Sequence, residues 1–299
     1  MTNGTQTRFA TAGDVDIAYE VIGDDSAPAV LLVSGLGGQL ISWDDGFCAE
    51  LVRRGLRVIR FDNRDVGLST HLVAPVGSAG PRTAPPGFPA PSYTLSDMAA
   101  DAVAVLDALE LAAAHLVGVS MGGMIAQVVA VEHPDRVRSL TSIMSTTGDH
   151  AVGEASDEAL EVLTGPPPTS RQEAEERALL GNRAFGSPGY PMAEEVLRRR
   201  VGEAYDRAFD PLGVGRQLAA IMVSPDRTEA LAEIAVPALV IHGAEDALIG
   251  VSGGRATAAA IPGAELVVID GMGHELPEAL WGRVAELITA LVSRAEQRG

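Results

Sequence analysis

Ser120 stands in the run Gly118-Val119-Ser120-Met121-Gly122-Gly123, between a strand-like stretch, His115–Val119, and a helix-like one, Gly122–Glu132. A serine on a sharp strand-to-helix turn holds its hydroxyl clear of the backbone, and the flanking glycines leave that turn room. A helix starting near Met121 aims its positive end at the point where negative charge develops in acyl transfer. In a chain with 33 glycines the bare Gly-x-Ser-x-Gly pattern is weak, so the weight rests on its place between strand and helix.

A serine hydroxyl needs a base to take its proton, and the base needs a carboxylate to orient it. After a turn of this kind the acid comes first in the chain and the base second. Among the histidines that follow Ser120 are His150, His242 and His274. His274 lies in Gly271-Met272-Gly273-His274-Glu275, a loop after the last strand-like run, and is the expected base. His150 falls where the strand pattern breaks off, and His242 at a strand end, where a structural role is expected. The strand Pro237–His242 leads into Ala244-Glu245-Asp246; Asp246 is the expected acid and Glu245 the alternative. Two backbone N–H groups should hold the oxyanion: Met121, and Leu36 in the Gly-rich run Ser34-Gly35-Leu36-Gly37-Gly38.

These residues need a scaffold, and the apolar patterning describes one. Strands are expected at Asp16–Ile22, Ala29–Val33, Arg57–Phe61, His115–Val119 and Val137–Ile143, with helices at Ser42–Arg54, Leu95–Leu109 and Gly122–Glu132. The alternation resumes with strands at Pro237–His242 and Glu265–Ile269 and helices at Gly253–Ala260 and Glu278–Ala295. Strand–helix alternation predicts an α/β fold, a mostly parallel sheet covered by helices on both faces. Between the two halves, roughly residues 148–226, only helical patches occur: Ser156–Leu163, Arg171–Leu180, Ala193–Phe209 and Gly215–Met222. Ser170 and Glu173 form a capping-box pattern there. The expected organisation is a core of residues 1–147 and 227–299 with a helical cap of residues 148–226. The Pro- and Gly-rich stretch Val73–Ser92 is long for a loop and is expected to border the site.

The set Ser34-Gly35, Gly118-x-Ser120-x-Gly122, Asp246 and Gly273-His274 resembles the α/β-hydrolase superfamily over nearly the whole chain outside the cap. Many relatives carry His-Gly where this chain has Ser34-Gly35, so a hydroxyl stands where an imidazole braces the loop. Two longer runs, Arg60-Phe61-Asp62-Asn63-Arg64-Asp65-Val66-Gly67-Leu68-Ser69 and Gly271-Met272-Gly273-His274-Glu275-Leu276-Pro277, resemble a bacterial group that includes aclacinomycin methylesterase. That resemblance implies hydrolysis of carboxylic esters through an acyl-enzyme on Ser120, with a methyl ester or lactone of a small apolar metabolite as substrate. By their residue types, Asp62 to Asp65 are expected to form a turn network. Trp43, Met121 and Met124 are expected either near the substrate or in the core.

A net charge of −18 repels phosphate backbones and anionic headgroups, so nucleic acid and membrane partners are not expected. The one basic cluster, Arg198-Arg199-Arg200, sits among glutamates. Cys48 is alone, so it forms no intrachain disulfide. No metal or organic cofactor is expected, because His-Glu-x-x-His spacing, a thiolate cluster and the Gly-x-Gly-x-x-Gly fingerprint are all missing. Met1 to Ala10 lacks an apolar signal core, and a cytoplasmic chain is expected; a homodimer is compatible with the sequence. The same triad also serves cofactor-free perhydrolases or haloperoxidases and carbon–carbon hydrolases. A non-catalytic ligand-binding protein on this fold is the reading from another class.

Overall fold

Where the sequence runs through short apolar, often β-branched stretches, the chain extends and the stretches align. A computed structural model describes residues 6–72 and 92–298. Its strands are β1 (Arg8–Ala12), β2 (Val15–Ile22), β3 (Ala29–Val33), β4 (Arg57–Phe61), β5 (Ala114–Val119), β6 (Val137–Ile143), β7 (Ala238–Gly243) and β8 (Glu265–Ile269). They form one sheet in the order β1-β2-β4-β3-β5-β6-β7-β8. β1–β2 and β2–β4 pair antiparallel, and the remaining pairs are parallel. β3, β4 and β7 are buried along their whole length; β3 is apolar throughout, as a strand covered on both faces should be, whereas β4 carries Arg57 and Arg60. β1, which the apolar patterning does not predict, is a short strand that returns into β2 through a turn at Gly13, where φ is 60°.

The helices are α1 (Asp45–Arg53), α2 (Leu95–Ala108), α3 (Met121–Glu132), α4 (Asp157–Thr164), α5 (Arg171–Phe185), α6 (Glu194–Arg207), α7 (Pro211–Val223), α8 (Thr228–Leu231), α9 (Val251–Ala260) and α10 (Trp281–Glu296). α2 and α3 pack on one face of the sheet, α1 and α10 on the other. α10 shows why: Val284, Ala285, Ile288, Leu291, Val292 and Ala295 recur at helical spacing and are all buried. No helix among the described residues is long and apolar enough to cross a membrane.

Local chemistry shifts several expected boundaries. The helix expected from Ser42 begins at Asp45, because the Asp44 side chain accepts from the Gly46 N–H at 2.8 Å. The helix expected from Gly215 begins earlier, at Pro211: Asp210 caps it, accepting from Leu212 N–H at 3.0 Å, and proline suits the first helical position. At α5 only half of the expected capping box forms. Ser170 Oγ accepts from Glu173 N–H at 3.2 Å, but the Glu173 carboxylate turns to Thr169 N–H at 2.7 Å. The Val73–Ser92 stretch lies outside the described residues except for Ser92.

Helices α4 to α7 fall between β6 and β7 and add no strand to the sheet. The two ends of this helical insertion meet: Arg227 N–H donates to the Thr147 carbonyl at 2.9 Å, and Arg227 Nη2 donates to Thr146 O at 3.0 Å. The Arg227 guanidinium is buried, which lowers its pKa to about 10, and it also donates to Gln127 Oε1 of α3 at 3.1 Å.

Candidate active site

β5 passes into α3 through Ser120, whose φ of 55° and ψ of −122° lie where side-chain-bearing residues rarely sit. Such a backbone costs on the order of 1–3 kcal/mol and persists only where its surroundings impose it. Here they do. A Cβ on Gly118 would stand 2.1 Å from Gly122 O, and one on Gly122 would stand 2.1 Å from Val33 O. Ser120 N–H donates to Ile143 O at 2.9 Å, and Ser145 Oγ donates to Ser120 O at 2.8 Å. The hydroxyl is thereby fixed at the N-terminus of α3, above the carboxyl ends of the parallel strands.

His274 lies between Ser120 and Asp246. Its Nδ1 is 2.8 Å from Asp246 Oδ2, and its Nε2 is 2.9 Å from Ser120 Oγ. A carboxylate only accepts, so Nδ1 carries the proton and donates to Asp246; Nε2 is then bare and accepts from the Ser120 hydroxyl. Asp246 is itself held: its Oδ1 accepts from Leu248 N–H at 3.0 Å and Ile249 N–H at 2.9 Å. Burial raises the pKa of this carboxyl, but His274, His242 and the Ile249 N–H more than offset it and bring it down to about 2. The group is therefore ionised throughout the neutral range.

The other candidates fall elsewhere. Glu245 braces the same loop rather than the ring, its Oε2 accepting from Gly271 N–H at 2.6 Å. His242 is fully buried beneath Asp246; its Nε2–H donates to Ile249 O at 2.7 Å and faces Asp246 Oδ2 at 3.5 Å. His150 is exposed at the start of the insertion.

The loop carrying Leu36 lies against the serine, since a Cβ on Gly35 would stand 3.2 Å from Ser120 Cβ. Among the described residues, the N–H groups of Leu36 and Met121 donate to no protein acceptor. Ser34 Oγ makes only a long bond to Gln39 O, 3.4 Å. The bracing an imidazole would have given comes from two amides instead. Asn63 Nδ2 donates to Ser34 O at 3.0 Å, and Gln217 Oε1 accepts from Gly37 N–H at 2.9 Å. Gln217 reaches the loop from α7, 180 residues along the chain, and no local pattern announces it.

A cavity of about 1120 Å³ opens above Ser120, with Leu36, Met124, Phe185, His274 and Trp281 in its wall. A second space of about 760 Å³ shares Leu36, Phe185 and His274 with it and runs between α4, α5, α6 and α7. Trp43 and Met124 line the first cavity, whereas Met121 is packed in the core. The wall is mainly apolar, with Arg60, Arg200 and Arg207 among its polar members.

The Asp62–Asp65 run does form a turn network, and it does more. Asp62 accepts from Leu40 N–H at 2.6 Å and Leu68 N–H at 2.8 Å, and it pairs with Arg207 of α6 at 2.8 Å. Burial raises its pKa, opposed by Arg207 and the two backbone donors. Asp65 takes two bonds from Arg216 of α7, at 2.9 and 2.7 Å. Asp65, His71 and Asp210 bring ligand-type atoms within 4.8 Å of one another. Arg216 already bonds both carboxylates and offsets one of their two negative charges within the cluster. Both nitrogens of His71 face acceptors, Asp210 Oδ2 at 2.9 Å and Gly67 O at 3.0 Å. Burial pulls the His71 pKa down, but the Gly67 carbonyl and the Asp210 and Asp65 carboxylates raise it above 6.5.

Comparison with known proteins places this geometry in context. Residues 28–187 match the family described as the alpha/beta hydrolase fold. The chain is 32% identical to a rhodomycin D methylesterase from Streptomyces sp. strain C5, over 95% of this chain and 97% of that protein. It is 32% identical to a putative carbamate hydrolase from Variovorax paradoxus, over 77% of this chain and 79% of that one. Among solved structures, a hydrolase from Pseudomonas aeruginosa superposes with a TM-score of 0.71 at 27% identity, covering 98% of this chain and 99% of that one.

Proposed function

The chain belongs to the α/β-hydrolase family, and from that premise we propose that it is a serine esterase acting on a methyl ester through an acyl-enzyme on Ser120. The observation that carries this reading is the contact chain Asp246–His274–Ser120, at 2.8 and 2.9 Å, ending on a serine held at a positive φ.

In the first half-reaction His274 Nε2 takes the proton of Ser120 Oγ as that oxygen attacks the ester carbonyl carbon. The oxyanion forms against the Leu36 and Met121 N–H groups, and the positive end of α3 favours its charge. Asp246 holds the Nδ1 proton and stabilises the imidazolium without accepting that proton. The tetrahedral intermediate collapses, His274 gives its proton to the leaving alkoxide, and the alcohol departs. Water then attacks the acyl-enzyme with His274 again as base, releasing the carboxylic acid and restoring Ser120.

Two features support a bulky, mostly apolar acyl part. The cavity of about 1120 Å³ exceeds the space a small ester fills. The methylesterase relative covers nearly the whole chain, so the similarity includes the helical insertion, which on this reading acts as the cap over residues 148–226.

The test is labelling by a fluorophosphonate probe, with turnover of p-nitrophenyl acetate and of methyl esters of polycyclic acids. Labelling at Ser120 is expected. Ser120→Ala and His274→Ala should each cost at least about 10⁴-fold in kcat, and Asp246→Asn about 10⁴-fold. A folded protein that resists the probe and turns over none of these esters would sink the reading. Peroxide-dependent halogenation without ester hydrolysis would replace it with the haloperoxidase alternative.

A further inference from the structure

Two buried polar side chains of the helical insertion point away from the cavity and into the loops that carry the reacting groups. Ser187 follows α5. Its Oγ accepts from Gly273 N–H at 2.9 Å, and its own N–H donates to Glu275 Oε1 at 2.9 Å. His274, between those two residues, donates its N–H to Phe185 O at 2.7 Å. The backbones touch: a Cβ on Gly273 would stand 2.1 Å from Gly186 O. On the opposite side Gln217 is fully buried in α7. It accepts from Gly37 N–H at 2.9 Å and donates to Arg64 O at 2.8 Å, fixing the loop next to Leu36. Neither side chain is part of the wall of the cavity above Ser120.

We propose that Ser187 and Gln217 are positioning residues, one holding the His274 loop and the other the Leu36 loop, so that the reacting geometry is complete only with the insertion seated on the core. This rests on the roles given above to His274 and Leu36. The insertion then contributes to the chemical step itself as well as to enclosing the substrate. A displacement of either loop by a fraction of an ångström alters the alignment of base or oxyanion donor without touching the bound ester.

The experiment measures Ser187→Ala, Ser187→Thr and Gln217→Leu beside the wild-type chain, each checked for folding by circular dichroism. Both disruptive variants should lose about 10- to 100-fold in kcat for p-nitrophenyl acetate and in the rate of fluorophosphonate labelling, with KM nearly unchanged. Ser187→Thr keeps the hydroxyl and should restore most of the rate. A raised KM with unchanged kcat and labelling rate would overturn the proposal, as would full activity in both folded variants. If a variant does not fold, amide hydrogen exchange on the wild-type chain decides. Slow exchange at Gly37 and Gly273 supports the two bonds, and fast exchange at either overturns them. A wild-type chain that the probe does not label would instead strike the assignment of Ser120.

Discussion

Two of the seams along which the helical insertion meets the core are built from different chemistry. One joins residues 185–189 to the His274 loop through neutral groups, mostly backbone: Phe185 O, Ser187 Oγ, and Gly189 N–H donating to Gly271 O at 2.9 Å. Its one charged member is Glu275, which accepts from Ser187 N–H at 2.9 Å. The other joins α6 and α7 to the Asp62–Asp65 turn through guanidinium–carboxylate pairs whose acids are fully buried. Backbone hydrogen bonds fix register but leave little charge behind when broken. A buried ion pair fixes less by geometry and penalises separation more, because one charge is left without water or partner.

The contrast breaks down if the two seams respond alike. The largest effect is expected from Arg216→Met, which strands the Asp65 carboxylate. Denaturant unfolding should show a loss of about 3–5 kcal/mol. Ser187→Ala should cost only about 1–3 kcal/mol in the same measurement, the penalty for an unsatisfied Gly273 N–H. Equal losses would show that charge adds nothing to the second seam.

A smaller effect separates the seams by pH. His71 faces Asp65, Asp210, Arg216 and the Gly67 carbonyl at the ion-paired seam, and its pKa is raised in the folded chain. Its contribution is complete below the unfolded value near 6.5 and is lost as pH rises through the higher folded value. Melting temperature should therefore fall across that interval, and His71→Gln should flatten the slope. A slope unchanged by that substitution would place the pH sensitivity elsewhere. The smallest effect is expected from Arg200→Ala. Its pair with Asp44 is partly exposed on both sides, so about 0–1 kcal/mol is at stake.

What could be read from the sequence had a local signature. Ser120 was marked by a strand, a glycine-flanked turn and a helix; Asp246 and His274 stood in loops just after apolar strands. The α/β alternation gave the parallel part of the sheet for the same reason. β1 was missed because it is a short edge strand with no apolar run. The second partners of Asp62 and Asp65 were missed because an aspartate in a turn satisfies the local rule whether or not an arginine arrives later; Arg216 lies 151 residues beyond Asp65. Gln217 looks like any polar residue of a helix until the fold buries it.

The bond between Arg227 N–H and the Thr147 carbonyl makes the insertion a detour that begins and ends at one point. The sheet is continuous across that point, so evolution or an engineer can exchange the detour for another of different length, since lengthening a closed loop costs little. The exchange is free in topology and constrained in chemistry. Any substitute module must arrive with acceptors for Gly37 and Gly273, or the transplant will fold over a site that has lost its alignment.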